Sequence, residues 1–314
     1  MWNNIKRIDD EAENVAKFVF TKPDAVVESV LYKYPTYEER TVICCSTQSG
    51  CPVGCRFCGT GNYFVRNLTA DEIVSQVEHS LEQTGVDPNA INRLQIMFMS
   101  MGEPLLNLKA LIPALYSLHH RYPAARLLIS TSGPTVSDHM WQLLLEASRD
   151  IPTVGLQFSV HESTDEARDK LVPFKAKMTL DEMYDYGYTW KEWVNDGRKP
   201  FFNYCAHDAN SSDEDADRIL ALYDPSIFNA TVSVICEQND GLPATNDHQR
   251  KLATDFGDKL LARGYDVRVF DPAGQDTIGG GCGQLWFVQK WMEENPDKAK
   301  PSIGYGKPKV HAPA

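Results

Sequence analysis

Short apolar runs alternate along the chain with longer stretches of helical periodicity. The runs at 41–46, 94–100, 126–131, 154–159, 200–206 and 230–236 read as strands, each a brief hydrophobic segment bounded by turn residues. Between them, apolar residues recur at the three-to-four spacing that makes one face of a helix. The first helix opens on a capping box, Thr69 with Glu72 three positions on, and lines up Ile73, Val74, Val77 and Leu81 on one side. Further helices are predicted at 106–119, 136–148, 178–194, 212–223 and 246–263. Strand and helix in alternation predict an α/β fold with a parallel sheet or barrel, and six such units are within reach. The pattern weakens before about residue 40 and after about residue 272. The expected organisation is therefore a short N-terminal extension (1–40), a partial barrel (41–272) and a C-terminal segment (273–314) ending in a tail rich in Pro, Gly and Lys.

In a parallel barrel the chemistry sits at the carboxyl ends of the strands. The residues that stand out fall there: a cysteine-rich loop after the first strand, then Gly102-Glu103-Pro104, Ser130-Thr131-Ser132-Gly133 and Ser159-Val160-His161. Independent motifs on one rim reinforce each other.

Composition narrows the class. With 314 residues, 42% hydrophobic and 24% charged, the chain is an ordinary globular protein with enough apolar content for a sizeable core, not a disordered, collagenous or disulfide-scaffold one. Its start, MWNNIKRIDDEAENV, has no apolar signal region, and no run approaches 18 apolar residues. The expectation is a cytoplasmic protein without a membrane span. A net charge of -12 argues against a surface built throughout to neutralise phosphates, so nucleic-acid binding must be argued from elsewhere.

Five of the eight cysteines, Cys44, Cys45, Cys51, Cys55 and Cys58, fall within fifteen residues. In a reducing compartment such a knot points to metal or redox chemistry rather than structural bridges. Cys51, Cys55 and Cys58 form C-x3-C-x2-C in CPVGCRFC, with no fourth cysteine at partner spacing. Structural zinc normally takes four closed ligands, whereas three thiolates on a 4Fe-4S cube leave one iron open. A three-ligand zinc site and plainly buried cysteines are the alternatives.

The spacing resembles that of the radical S-adenosylmethionine superfamily. CSTQSGCPVGCRFCGTG, RNLTADEI, MGEPLLN, ISTSG, SVHESTDEARDKLVPF and CGQL, in that order, are similar to the radical S-adenosylmethionine RNA adenine methyltransferases. Those are the carbon-2 enzymes of ribosomal and transfer RNA and the related carbon-8 enzyme of chloramphenicol and florfenicol resistance. The resemblance covers roughly residues 26 to 286 and implies a partial (β/α)6 radical S-adenosylmethionine barrel. It implies Cys51, Cys55 and Cys58 as ligands of a 4Fe-4S cluster. Gly102 and Glu103 match the motif that takes the cofactor's amino group, and Ser130, Ser159, Val160 and His161 match positions contacting its ribose, adenine or carboxylate. Asn239, 43 residues before Cys282, matches a cofactor-binding Asn by ungapped count. Cys282 matches the cysteine that carries the transferred methyl, Cys44 its resolving partner, and Glu28 the family's proton acceptor.

The implied chemistry uses two molecules of S-adenosylmethionine. One methylates Cys282, and the other supplies the radical that removes hydrogen from the S-methyl group, so that the carbon adds to a ring position that is not nucleophilic. Proton loss and attack by Cys44 then release the product and leave a transient Cys44–Cys282 disulfide, which an external reductant must reopen. RNA is the implied substrate and a flavodoxin-type or other low-potential electron donor the implied partner. The chain departs from the family in having only 27 residues before Glu28, where members carry a larger accessory domain, and DPAGQDTIGGG before CGQL. Two other readings stand beside this one: the same chemistry on a small nucleotide or another sp2 carbon, and a non-catalytic iron-sulfur binding protein.

Overall fold

A computed structural model describes residues 2–12, 14–194, 196–235, 245–279 and 286–303. Two of the positions singled out above, Asn239 and Cys282, lie outside the described residues.

All six expected strands form. They are β4 (Thr41–Cys44), β7 (Leu94–Phe98), β8 (Arg126–Thr131), β9 (Val154–Ser159), β10 (Phe201–Cys205) and β11 (Asn229–Ser233), and a seventh parallel strand, β12 (Val267–Phe270), extends the set. They lie side by side in chain order, each parallel to the next. A doubly wound sheet would reverse its strand order at a switch point; an unreversed order means a single winding, which is the arc of an opened barrel. The crossovers are α1 (Ala70–Glu82), α2 (Leu108–Arg121), α3 (Asp138–Asp150), α4 (Asp165–Leu171) with α5 (Leu180–Val194), α6 (Asp213–Leu222) and α7 (Asp247–Ala262). The predicted capping box is present at the start of α1, where Thr69 and Glu72 exchange hydrogen bonds.

The segment before residue 41 is built into the same sheet. β1 (Asn4–Asp10), β2 (Val15–Lys22) and β3 (Ala25–Lys33) form an antiparallel meander, and β3 pairs antiparallel with β4, giving ten strands in all. A smaller sheet holds β5 (Gln48–Gly50), β6 (Tyr63–Asn67) and β13 (Lys300–Pro301), the last reached after α8 (Trp286–Glu294).

Strand pleating sorts the side chains. Leu94, Ile96, Phe98, Leu127, Ile129, Leu156, Phe158, Phe202, Tyr204 and Val232 join the main core under the helices. The alternate positions face the inside of the arc, and towards the carboxyl ends of β8 to β11 they include the polar residues Ser130, Gln157, Ser159, Asn203, Thr231 and Ser233. There Gln157 donates from Nε2 to Ser130 Oγ at 3.0 Å and accepts from Thr231 at 3.2 Å, and Ser233 donates to Asn203 at 2.8 Å. A sheet that keeps polar groups on its inner face, satisfied by one another across strands, is prepared for a polar ligand rather than a dry core.

Candidate active site

The cysteine loop is the connection of a hairpin. β5 and β6 pair antiparallel, and the Cys51 N–H donates to the Tyr63 carbonyl at 2.8 Å, pinching the loop at its base. Its far side docks on the end of α4, where the Arg56 N–H donates to the Leu171 carbonyl at 2.9 Å and Val53 packs on Leu171 and Val172. Close packing requires glycine at Gly61, where a Cβ would come within 2.7 Å of the Cys55 carbonyl oxygen. So held, Cys51, Cys55 and Cys58 line one cavity together with Gly102, Glu103, Ser130, Ser159 and His161. The loop and all three rim motifs thus meet in space.

Gly102 turns the chain at the end of β7 with φ +100°, and a Cβ there would sit 2.6 Å from the Gln48 Cβ. Gln48 accepts the Glu103 N–H at 2.7 Å. The Glu103 carboxylate takes four donors from its own chain: Thr131 Oγ1–H at 2.6 Å, the Leu105 N–H at 2.9 Å, and the Ser132 N–H and O–H at 2.7 Å each. Four is about the capacity of a carboxylate. The acid expected to receive a cofactor amino group lines the cavity and also ties the end of β7 to the end of β8, and its pKa is raised by burial against these bonds.

His161 holds a left-handed backbone, φ 63°, unusual outside glycine. The N–H groups of Val160 and His161 both donate to the Asn203 carbonyl, at 3.0 and 3.1 Å, fixing the turn after β9. The Val160 side chain goes into the main core and is not among the residues that line the cavity. The His161 ring stands edge-on to Phe57 at 4.7 Å, and burial, with Arg168 and His207 near, pulls its pKa down to about 3. It is a neutral imidazole at any physiological pH. Thr60, Asn203 and Ser233 also line the cavity. The predicted strands 200–206 and 230–236 put Asn203 and Ser233 at mid-strand, so the rim rule did not single them out, although Ser233 is the last residue of β11; nothing in the pattern points to Thr60.

Residues 45–195 match the radical SAM superfamily model. The chain is 34% identical over 293 residues to a probable dual-specificity RNA methyltransferase RlmN of Parafrankia sp. (strain EAN1pec), covering 88% of this chain and 73% of that one. It is 32% identical over 303 residues to a dual-specificity RNA methyltransferase RlmN of Solidesulfovibrio magneticus, covering 90% and 79%. The chain belongs to the RlmN family. The fold agrees: a radical SAM methyltransferase from Sphaerobacter thermophilus superposes with a TM-score of 0.73 at 26% identity, over 89% of this chain and 79% of that one.

As a radical SAM enzyme of the RlmN family, the chain calls for a 4Fe-4S cluster and S-adenosylmethionine, and the cavity fits them. Among the described residues no three His, Cys, Asp or Glu side chains close on a single-ion position. The three thiols instead border one cavity, near enough that burial and then Cys55 and Cys58 push the Cys51 pKa well up. Three cysteines spread around a cavity suit a multi-iron cluster better than one ion. Two groups of lining residues, Thr60 Oγ1 and His161 Nδ1, are buried without a hydrogen-bond partner. Orphaned groups of this kind are what a bound molecule satisfies.

Of the residues expected to act beside the cofactor, Glu28 lies on β3 of the meander and Cys44 on the adjacent β4, both on the inner face of the sheet. Cys44 is opposite Val30 in register, and Glu28, two residues along β3, shares that face. Cys44 packs against the cluster formed by Val15, Val30, Tyr32, Met97 and Ile278. Glu28 is fully buried, paired with Lys17 at 2.8 Å, and its backbone carbonyl accepts from Ser46 and Ser100 at 2.5 and 2.8 Å. Ser100 lines the cavity. Ile278, four residues before Cys282, brings the C-terminal segment onto this face. Among the described residues no helix is long and apolar enough to cross a membrane.

Proposed function

We propose that the chain methylates an sp2 carbon of adenine in RNA, with Cys282 as methyl carrier, Cys44 as resolving thiol and Glu28 as proton acceptor. The observation that carries this reading is the sharing of one sheet face by Cys44, Glu28 and the segment that leads into Cys282, next to the cavity bordered by Cys51, Cys55 and Cys58. Those three cysteines hold the cluster; Gly102, Glu103, Ser130, Ser159, Val160, His161 and Asn239 shape the cofactor site, Glu103 by bracing the rim and Val160 through its backbone. When bound, the cluster and S-adenosylmethionine supply the radical chemistry that a non-nucleophilic ring carbon needs. Lys17 supports the ionised form of Glu28, which a base must have. In the closing step a Cys44–Cys282 sulfur–sulfur bond forms as the bond from the Cys282 sulfur to the transferred carbon breaks, and that carbon keeps the bonding pair and takes up a proton to become the methyl group. Both sulfurs are oxidised in that step, so a thiol reductant is required for the next turnover. A low-potential one-electron donor of flavodoxin type completes the requirement, and two S-adenosylmethionine molecules are used per methyl delivered.

Peptide mass spectrometry after incubating the anaerobically prepared, cluster-loaded protein with labelled S-adenosylmethionine tests the carrier: a single methyl on Cys282 is expected. Cofactor cleavage with Cys282 bare would mean that the radical machinery serves another reaction. The net charge of -12 favours a second reading, the same chemistry on a small nucleotide, because phosphate neutralisation supplies much of RNA affinity. Methylation of free adenine nucleotides in the absence of RNA would establish it in place of the first.

A further inference from the structure

Arg168, on α4, is among the largest fully buried side chains of the described residues. Its guanidinium is met by carbonyl oxygens: Nη1–H donates to Met178 at 2.9 Å, and Nη2–H to Ser132 at 2.6 Å and to Ser159 at 3.4 Å. Nε is buried without a hydrogen-bond partner. The other deeply buried cation, Lys17, has a carboxylate in contact. Carbonyl dipoles solvate a guanidinium in part but do not neutralise it, and a buried charge left without a counter-charge is strongly disfavoured.

The missing negative charge has one natural location. Ser132 and Ser159, whose carbonyls Arg168 holds, line the cavity with the three cysteines. The C-terminal end of α4 carries the cysteine loop through the bond from the Arg56 N–H to Leu171. Burial lowers the Arg168 pKa, and Cys55 is near enough for its thiolate to act against this. A 4Fe-4S cube on three thiolates is net negative, and one electron more so after reduction. A fixed cation behind it stabilises the reduced form more than the oxidised one and so raises the reduction potential.

We propose that Arg168 is the built-in counter-charge of the cluster on Cys51, Cys55 and Cys58, raising its potential towards that of its electron donor while its fork braces the Ser132 and Ser159 turns. The inference rests on the cluster reading of those cysteines.

The test is a redox titration of the reconstituted holoenzyme by electron paramagnetic resonance, with dithionite as reductant, with and without S-adenosylmethionine. Wild type is compared with Arg168→Gln, which removes the charge, and Arg168→Lys, which keeps it. The expected result is a lower midpoint potential in Arg168→Gln even without S-adenosylmethionine, and a wild-type potential in Arg168→Lys. An unmoved potential in the Gln variant overturns the inference. So does a shift that appears only with S-adenosylmethionine, which would assign the charge to the cofactor's carboxylate, or equal shifts in both variants, which would assign the effect to the lost fork. If Arg168→Gln takes up no iron, loading decides: Arg168→Lys must take up iron, and an equally empty Lys variant overturns the inference. A wild-type chain that binds no iron and sulfide would fail the cluster reading itself, whereas a loaded wild type with an insensitive potential fails only the role of Arg168.

Discussion

Lys17 and Glu28 show how one residue's chemistry depends on another eleven positions away. They are 1% and 0% exposed and 2.8 Å apart, on adjacent strands of the meander. Burial pushes the Glu28 pKa up, while Lys17 and the Val288 N–H at the start of α8 act against it. Removing one partner of such a pair leaves a charge with no counter-charge, whereas replacing both by apolar groups is often tolerated. Lys17→Met is expected to destabilise by about 3–5 kcal/mol, read as a lower urea midpoint, with much of the loss recovered in Lys17→Met/Glu28→Leu. A single variant as stable as wild type would show that the pair does not hold Glu28. Gly102 is a second residue-scale case. With φ +100° and Gln48 2.6 Å from any Cβ, Gly102→Ala is expected to move the turn that presents Glu103. S-adenosylmethionine binding, followed by calorimetry on the loaded protein, should weaken at least tenfold while iron content stays normal.

At the scale of elements, the start of α1 is the best-defined joint near the site. Glu72 closes the capping box with Thr69 and also receives Arg66 from β6 at 2.8 Å and Lys22 from β2, binding helix, hairpin and meander together. Burial would raise the Glu72 pKa, but the hydrogen bonds from Arg66, Lys22 and the Thr69 N–H outweigh it and bring it to about 2. Its folded pKa thus lies below its unfolded value of 4.5. The stability it contributes is complete above that value and is lost as pH falls from there towards 2. The melting temperature of Glu72→Gln should therefore lie below wild type at pH 7, and the gap should narrow as pH is lowered through 4. A gap independent of pH would mean that the carboxylate charge is not what holds the joint. Other elements answer to sequence more simply: α3, α4, α6 and α7 each start at a Ser, Thr or Asn that accepts a backbone N–H of the first turn.

Across the whole molecule, residues near Gly274 and Ile278 meet the N-terminal meander at Val15. Ala273 and Ile278 pack on the inner face of the meander, and at Gly274, φ +72°, a Cβ would come within 2.3 Å of Val15 Cγ1. Gly274→Ala should lift this segment from β2. The expected outcome is a reduced rate of methyl loading on Cys282 with unchanged cluster content, measured by peptide mass and iron analysis; unaltered loading would show that this contact does not position the carrier. The six strand and helix units, the capping box at Thr69 and the cysteine loop were legible in the sequence, because periodicity, cap residues and ligand spacing are local properties that a few neighbouring side chains decide. The meander was not: β1 is largely exposed, and β2 and β3 become buried strands only against α1 on one face and β4 with the residues around Ile278 on the other side. β12 was missed for a similar reason, since its partly exposed residues acquire strand geometry from the ladder with β11. Sequence motifs also marked Glu28 and Glu103 without revealing that one is paired with Lys17 and the other is filled by Thr131, Ser132 and Leu105. The sequence alone determined which groups the site contains and the local elements that carry them. Tertiary structure decided which of those groups face the cavity, which are engaged with their own chain and where the buried charges are compensated, because each depends on partners brought together only by folding.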